Sequence, residues 1–184
     1  MRRFLIFSFI TLVIQVGAQD LRNVQRSEVA FVSDAPMERI TAKSSESTGI
    51  IDAQQRTFAV QVPVRSLEGF NSPLQKEHFN ENYLESGRFP SITFQGRIIE
   101  SVDLTRSGNY RVRAKGELTI HGVTRERIIE CACVTAPEGI RVTSLFHVLL
   151  EDHAIRVPRV VQQKVATQVE VRIDLLFGPK NKPR

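Results

Sequence analysis

Apolar and polar residues alternate along most of the chain, as they do in β-strands that turn one face toward a core. The clearest case is VEVRIDLLF (residues 169–177), whose odd-numbered positions are all apolar. Weaker or shorter versions of the pattern predict seven further strands, at residues 23–33, 38–45, 58–64, 91–99, 110–120, 127–134 and 141–150. These eight candidate strands account for most of the chain and predict an all-β protein.

Short turn signals separate the predicted strands. They are SDAP (33–36), TRSGN (105–109), HGVTR (121–125) and APEG (136–139). Connections of this length suit hairpins and are too short for helical crossovers, so the sheet is expected to be mostly antiparallel. The pattern fits either a closed eight-stranded barrel or a two-layer sandwich. Pro158 keeps the long late connection, RVPRVVQQ (156–163), from being a central strand.

One helix is predicted, over residues 73–86. Leu74, Phe79 and Tyr83 would share its apolar face and pack onto a barrel or across its mouth. Gly87 is expected to end the helix, as glycine often does just past a C-terminus. Phe89 precedes Pro90, which favours an extended chain leading into the strand at 91–99.

The opposite face of this helix carries charged residues. Glu77, Glu81 and Glu85 recur at i, i+4 spacing, and His78 lies within one turn of Glu81. A partial metal site or an acid–base pair is one interpretation of the group. No further ligands accompany it in the sequence, and a solvated helix face is the interpretation we favour.

Small residues interrupt two rows of large apolar side chains on the inward faces. Ala114 and Gly116 lie in the middle of the row at 110–120, and Gly96 lies in the row at 92–98. Such residues leave room for a guest inside an eight-stranded barrel. They equally mark a bulge or a sharp bend of the strand, and the pattern alone does not decide between the two.

The first residues have the features of a secretory signal peptide. Arg2 and Arg3 precede an apolar run that ends at Val16, and cleavage is expected after Ala18. The run is too short to span a bilayer, so no stable membrane insertion is expected. The sequence therefore predicts a signal peptide (1–18), one domain (19–178) and a basic tail (179–184), exported to the periplasm or secreted.

Charge and motifs exclude several classes of function. The formal net charge is +5, with no run of basic residues interleaved with aromatic ones, so nucleic-acid binding is not expected. Nucleophile-elbow, zinc-protease and phosphate-loop motifs are absent from the sequence. Cys131 and Cys133 would point to the same face of one strand, too far apart for a disulfide. They are interpreted as small residues packed on an apolar face.

Two segments resemble the YceI-like family of exported polyisoprenoid-binding proteins. They are HFNENYLESGRFPSITFQGRI (78–98) and GELTIHGVTRE (116–126). TAKSSESTGIID (41–52) is similar to that family's early pair of strands, and LLEDHAIRVP (149–158) is similar to its late segment. His153 stands where the family more often has Tyr or Phe. The resemblance implies an eight-stranded antiparallel, lipocalin-like barrel with one short helix near its mouth.

The resemblance also implies a function. The lumen would hold a long amphiphile, such as an isoprenoid, a quinone or a fatty-acid derivative, without catalysis and without a cofactor or metal. The predicted ligand-binding residues face the lumen or one of its ends: Phe58, Val60, Val62, Phe79, Tyr83, Phe89, Ile92, Phe94, Ile98, Tyr110, Val112, Ala114, Leu118, Ile120, Phe146, Val148 and Leu150. The hydroxyls of Tyr83 and Tyr110 could contact a polar headgroup.

Two alternatives stay open from the sequence. The same barrel, filled solid, could bind another envelope protein through an apolar patch, for which LLEDHAIRVPRVV (149–161) is the surface candidate. An enzyme acting on a lipid in the lumen would need an acid–base pair drawn from His78, Glu81 or His121. A homodimer is compatible with the sequence.

Overall fold

The computed structural model describes residues 19–179. Nine strands are present: β1 (Leu21–Asp34), β2 (Arg39–Ser44), β3 (Thr48–Asp52), β4 (Thr57–Pro63), β5 (Ser91–Ile98), β6 (Gly108–Ile120), β7 (Val123–Ala136), β8 (Gly139–Leu149) and β9 (Gln168–Phe177). The helical elements are α1 (Pro73–His78), a π-helical turn (Phe79–Tyr83) and 3-10 turns at Val64–Ser66, Leu150–His153 and Arg159–Val161. The predicted signal peptide and residues 180–184 of the predicted tail lie outside the described residues.

The strands form one closed antiparallel barrel. Each strand from β3 to β9 pairs with the next one along the chain, and β9 then pairs with β1 to close the sheet. This confirms the predicted eight-stranded, lipocalin-like barrel, with one strand more than predicted. Closure leaves each long strand hydrogen-bonded on both sides, which removes the exposed edges of an open sheet.

The additional strand arises because one position in the barrel is interrupted. β2 and β3 both pair with β1, with Ser44 opposite Val29 and Ile50 opposite Asn23, so the register continues across the break. At the break, the backbone N–H of Ser47 donates to Ser27 Oγ at 3.1 Å, and side-chain bonding of this kind replaces ladder bonds. Alternation alone missed β3, which is short and has two adjacent isoleucines.

The helical segment is shorter than predicted. Ser72 caps it by accepting a hydrogen bond from the N–H of Gln75 at 3.2 Å, and Pro73 occupies the first turn. The segment ends at Leu84, and Glu85, with a φ of 43°, takes the left-handed conformation that ends a helix. The predicted end at 86 and the predicted role of Gly87 were therefore wrong, because the π turn at Phe79–Tyr83 brings the chain to its cap earlier.

The barrel interior contains two groups of packed residues. The lower group fills one half and is centred on Ile51, Leu104, Ile140 and Phe177, none of them more than 2 % exposed. The upper group lies beneath the helical segment: its buried members are Val64, Leu84, Leu118, Ile120, Val148 and Ile155. The barrel is therefore solid at one end, and any space for a guest lies at the other.

The inward-facing glycines mark a close approach of two strands. Gly96 lies opposite Gly116 in the β5–β6 pair. A Cβ atom on Gly96 would lie 2.1 Å from the carbonyl oxygen of Lys115, and one on Gly116 would lie 2.1 Å from that of Gln95. Of the two interpretations that the sequence left open, the structure therefore favours local strand geometry over room for a ligand.

Candidate functional site

A cavity of about 440 Å³ occupies the upper end of the barrel. Its wall is mostly apolar and comes from the strands, the helical segment and the connection between β8 and β9: Phe31, Ile40, Leu67, Phe70, Leu74, Phe79, Tyr83, Leu84, Ile92, Ile120, Val148, Leu150, Ile155, Val161, Val165, Val169 and Val171. The polar residues that line it are Ser33, Glu38, Ser72, Gln75, His78 and Lys164. The volume is in the usual range for small-molecule sites.

Aromatic residues separate the cavity from the solid half of the barrel. Phe94 and Phe146 are partly buried and pack against both groups of core residues, although neither lines the cavity itself. Phe94 also lies against Phe58 of the lower group, with ring centroids 5.0 Å apart. These side chains form the layer beneath the cavity, so its depth is limited to the upper part of the barrel.

Three segments surround the opening of the cavity, and we refer to them together as the mouth. They are the β1–β2 turn (residues 34–39), the chain around α1 (residues 70–78) and the connection at residues 154–167. Glu38 accepts hydrogen bonds from the side-chain amides of Gln75 (2.9 Å) and Asn71 (3.2 Å). The N–H of Met37 donates to the carbonyl oxygen of Gln163 at 2.8 Å. These bonds hold the three segments together.

An aromatic group anchors the helical segment to the barrel wall. The ring of Phe79 stacks on Phe31 of β1, with centroids 5.5 Å apart and planes 13° apart. Phe70 packs against Phe79 at 4.9 Å. All three rings line the cavity, so the contact that fixes the helical segment also forms part of the apolar wall.

A polar cluster joins the far end of the helical segment to two other elements. His121, in the β6–β7 turn, has Nε2 2.9 Å from Glu85 Oε1 and Nδ1 3.2 Å from the carbonyl oxygen of His153. Both ring nitrogens face oxygen acceptors, and only the imidazolium form can donate to both. The hydrogen bond from His121 and that from Arg88 hold the pKa of Glu85 below its usual range.

His153 is completely buried below this cluster. Its Nδ1 lies 2.9 Å from the carbonyl oxygen of Val123, to which it donates. Its Nε2 has no hydrogen-bond partner within residues 19–179. Burial lowers the pKa of His153, so the imidazole is neutral at physiological pH.

The structure brings six of the seventeen predicted ligand-binding residues to the cavity wall: Phe79, Tyr83, Ile92, Ile120, Val148 and Leu150. Six others pack in or against the solid half of the barrel: Phe58, Val60, Ile98, Tyr110, Val112 and Ala114. Phe94 and Phe146 lie in the layer between. Leu118 belongs to the upper core group but does not line the cavity. Val62 is buried and lines the cavity no more than Leu118 does. Phe89 packs edge-on against His121 instead.

The two tyrosines differ in position. Tyr83 lines the cavity, and burial raises the pKa of its hydroxyl. Tyr110 lies at the opposite end, where its hydroxyl donates to the carbonyl oxygen of Asp103 at 3.0 Å. Of the two, only Tyr83 is therefore placed to meet a guest in the cavity.

Several cavity residues were not predicted from the sequence. Phe31, Val169 and Val171 lie on predicted strands, and alternation places them on inward faces. Phe70 and Ile155, by contrast, belong to connections with no periodic pattern. Only the folded connection at residues 154–167 brings Ile155, Val161 and Val165 over the end of the barrel.

The cysteines lie far from the cavity. Both are free, and both face inward on β7 among the lower core residues. Burial raises the pKa of Cys131 to about 11 and that of Cys133 to about 12. The structure thus confirms the interpretation of two packed thiols that do not form a disulfide.

The residues considered for acid–base chemistry do not converge. His78 is exposed at the outer end of the cavity, and Glu77 and Glu81 are exposed on the other side of α1, beside Arg65 and Arg88. Glu85 leaves the predicted stripe and pairs with His121. Within residues 19–179, no three His, Cys, Asp or Glu side chains are grouped closely enough to hold a metal ion.

The same part of the chain has no helix that is both long and apolar enough to cross a membrane.

The fold and the site define a class: a closed antiparallel β-barrel, lipocalin-like, with an apolar cavity open at one end. The sequence model of the YceI-like domain family matches residues 22–177, which is nearly the whole described chain. The protein therefore belongs to the YceI-like family.

Solved structures share this fold at low sequence identity. A polyisoprenoid-binding domain from Saccharophagus degradans, implicated in plant cell wall breakdown, superposes with a TM-score of 0.73 at 14% identity, covering 88% of this chain and 99% of that one. BcnA of Burkholderia cenocepacia gives 0.67 at 15% identity, with 81% and 94% covered. The YceI protein of Campylobacter jejuni gives 0.56 at 11% identity, with 99% and 100% covered. No curated protein matches the chain.

Proposed function

We propose that the protein is an exported, non-catalytic lipid carrier that holds the apolar chain of an amphiphile in its upper cavity. The observation that carries this proposal is the distribution of polarity in the cavity. Its depth is lined by side chains such as Ile92, Ile120 and Val148, whereas Glu38, Gln75 and Lys164 belong to the mouth. Such a site suits a ligand with a long apolar part and one polar end.

The apolar wall is sufficient for binding. About ten methylene groups transferred from water at ~0.8 kcal/mol each would contribute ~8 kcal/mol, before the entropic cost of association is subtracted. Because the barrel is solid below Phe94 and Phe146, a long isoprenoid would enter only in part. We propose that the remainder extends through the mouth.

Family membership supports the class of ligand, since a solved structure with this fold is a polyisoprenoid-binding domain. The signal peptide predicted at residues 1–18 supports export, because a lipid needs shielding when it crosses an aqueous compartment. The absence of catalysis is supported by the scattered positions of His78, Glu81 and His121.

The test is native mass spectrometry of the protein purified from its exporting host, followed by extraction of whatever is bound. We expect a stoichiometric lipid mass that leaves on denaturation, on a polypeptide that begins at Gln19. Val169→Phe places a ring in the cavity and should abolish this mass. Val134→Phe is the matched control, because Val134 is 43% exposed on the outer face of β7. Equal occupancy in both variants would place the ligand elsewhere, and no uptake by the wild type would contradict lipid carriage.

A further inference from the structure

Exposed apolar side chains concentrate around the mouth. Val160 is 88% exposed, Met37 70% and Leu74 58%, and these are the three most exposed large hydrophobic residues within residues 19–179. Each comes from a different segment of the mouth. Leu74 lines the cavity, as do the immediate neighbours of the other two, Val161 and Glu38. The opening into the apolar cavity is therefore bordered by apolar side chains that face water.

Positive charge accompanies these side chains. The connection at residues 154–167 contains Arg156, Arg159 and Lys164 and no acidic residue. None of the three cations forms an ion pair within residues 19–179. Arg159 directly precedes Val160, and Lys164 lines the cavity.

The acidic groups close to the cavity opening are hydrogen-bonded, and two of them pair with cations. Asp34 pairs with Arg39, Glu68 pairs with Lys76, and Glu38 accepts hydrogen bonds from two amide side chains. The acidic residues of the helical segment, Glu77 and Glu81, line a separate surface depression on the other side of α1. Amide groups leave the charge of Glu38 uncompensated, so three cations and this one carboxylate lack an ion-pair partner around the opening, within residues 19–179, and the balance is positive.

We propose that the mouth docks on an anionic phospholipid surface. Val160, Met37 and Leu74 would enter the boundary between headgroups and acyl chains, while Arg156, Arg159 and Lys164 contact lipid phosphates. The cavity would then open directly into the bilayer, and a lipid could move between the two without crossing water. This inference rests on the proposed lipid-carrier function and names the surface with which that carrier exchanges its ligand.

The arrangement suits a membrane better than a protein partner. The three apolar side chains come from three segments around the opening of an apolar cavity, and the cations without an ion-pair partner lie on one of these segments. Exposed apolar side chains beside cations are what an interfacial membrane anchor requires.

The experiment is flotation of the mature protein with lipid vesicles. Binding to vesicles of phosphatidylcholine mixed with phosphatidylglycerol should exceed binding to phosphatidylcholine alone, and added salt should weaken it. The double variant Met37→Ser/Val160→Ser should lower partitioning by roughly tenfold. Leu145→Ser is the matched control, since Leu145 is 54% exposed on β8. Arg159→Gln/Lys164→Gln should remove the preference for anionic vesicles. Arg111→Gln should not, since Arg111 is exposed on β6 and has no ion-pair partner among residues 19–179.

A second measurement separates this inference from the proposed function. Lipid offered in detergent micelles should load the Met37→Ser/Val160→Ser variant normally, because neither side chain lines the cavity. Val169→Phe should show the reverse, with vesicle binding retained and loading lost. Vesicle binding that is absent in the wild type, or unchanged in the mouth variants, would overturn the docking proposal. If micellar loading persisted in that case, the carrier function would stand and the mouth would be left to a protein partner.

Discussion

Glu85 Oε1 lies 2.9 Å from Nε2 of His121, and both residues adopt left-handed backbone conformations, with φ of 43° and 50°. Glu85 ends the helical segment, and His121 begins the β6–β7 turn. The contact therefore ties the element that borders the cavity to a strand connection, and it does so through two strained positions. Arg88 completes the cluster by donating to Glu85 at 2.5 Å.

This contact predicts an acid-sensitive attachment of the helical segment. The folded-state pKa of Glu85 is lowered, first by the hydrogen bond from His121. The contribution of the Glu85 carboxylate to stability is therefore present at pH values above the usual carboxyl pKa. It is lost as the pH falls through the folded-state pKa. Glu85→Gln should lower the melting temperature at pH 7, and this difference should vanish under acidic conditions below the usual carboxyl range.

The matched control is Glu81→Gln, because Glu81 is exposed on the same segment and has no ion-pair partner among the described residues. Melting curves of both variants from neutral to acidic pH provide the measurement. A Glu85→Gln deficit that stays constant at all pH values would show that the contact is not ionic.

His153 predicts a second, less acidic pH effect. Burial lowers its folded-state pKa from the unperturbed value of about 6.5. At pH values below the unperturbed pKa, the unfolded state then binds more protons than the folded state. The stability that the neutral imidazole contributes is therefore complete above the unperturbed pKa and is lost as the pH falls through the folded-state pKa. Urea unfolding between pH 7.5 and 5 should show this loss. His153→Phe should remove the slope, although leaving the carbonyl of Val123 without its donor costs about 1–3 kcal/mol.

His147→Phe is the control for this experiment, because His147 is exposed on β8. Its pH slope should match that of the wild type. A slope that survives in His153→Phe would assign the effect to another group.

Much of the fold could be predicted from the sequence because alternation reports which side chains face inward. That pattern located eight of the nine strands, and the helix predicted from residue 73 begins there in the structure. It failed for β3, where Ile50 and Ile51 are adjacent. The end of the helix at Glu85 was also missed, because nothing in the sequence marks a glutamate with left-handed backbone conformation. Gly87, two residues later, is the residue type that usually follows a helix C-terminus.

The candidate site was harder to predict because alternation does not show whether opposite walls meet. Phe58 and Ile92 both face inward on paired strands, yet Phe58 packs in the solid half and Ile92 lines the cavity. The two residues differ in their height along the barrel axis and in whether other segments of the chain cover the barrel end above them. That cover comes from the connection at residues 154–167 and from the helical segment, whose placement depends on long-range contacts such as Phe79 with Phe31.

The paired glycines predict a large effect from one methyl group. Gly96→Ala places a Cβ 2.1 Å from the carbonyl oxygen of Lys115 and 2.5 Å from the Cα of Gly116, both backbone atoms that cannot rotate away. We expect the free energy of unfolding to fall by about 2–4 kcal/mol. Gly87→Ala is the control, because nothing lies within 4 Å of its added Cβ, and its stability should change by less than about 1 kcal/mol. Similar urea midpoints for the two variants would contradict the close approach of β5 and β6.

Ala114 and Val169 distinguish the solid half of the barrel from the hollow half. The sequence predicted both to face inward, and Ala114 was a candidate lining residue, but it is 6% exposed among Ile98, Val112 and Ile129. Ala114→Phe should therefore overpack the core and lower the free energy of unfolding by roughly 1–3 kcal/mol or more. The phenylalanine ring of Val169→Phe extends into the cavity, so this variant should lose less than about 1 kcal/mol of the free energy of unfolding.

Urea unfolding with and without an added isoprenoid alcohol provides the measurement. The ligand should still stabilise Ala114→Phe, because its cavity is intact, and should leave Val169→Phe unchanged. The opposite result, with ligand stabilisation lost only in Ala114→Phe, would place the binding site in the lower half and contradict the cavity described above.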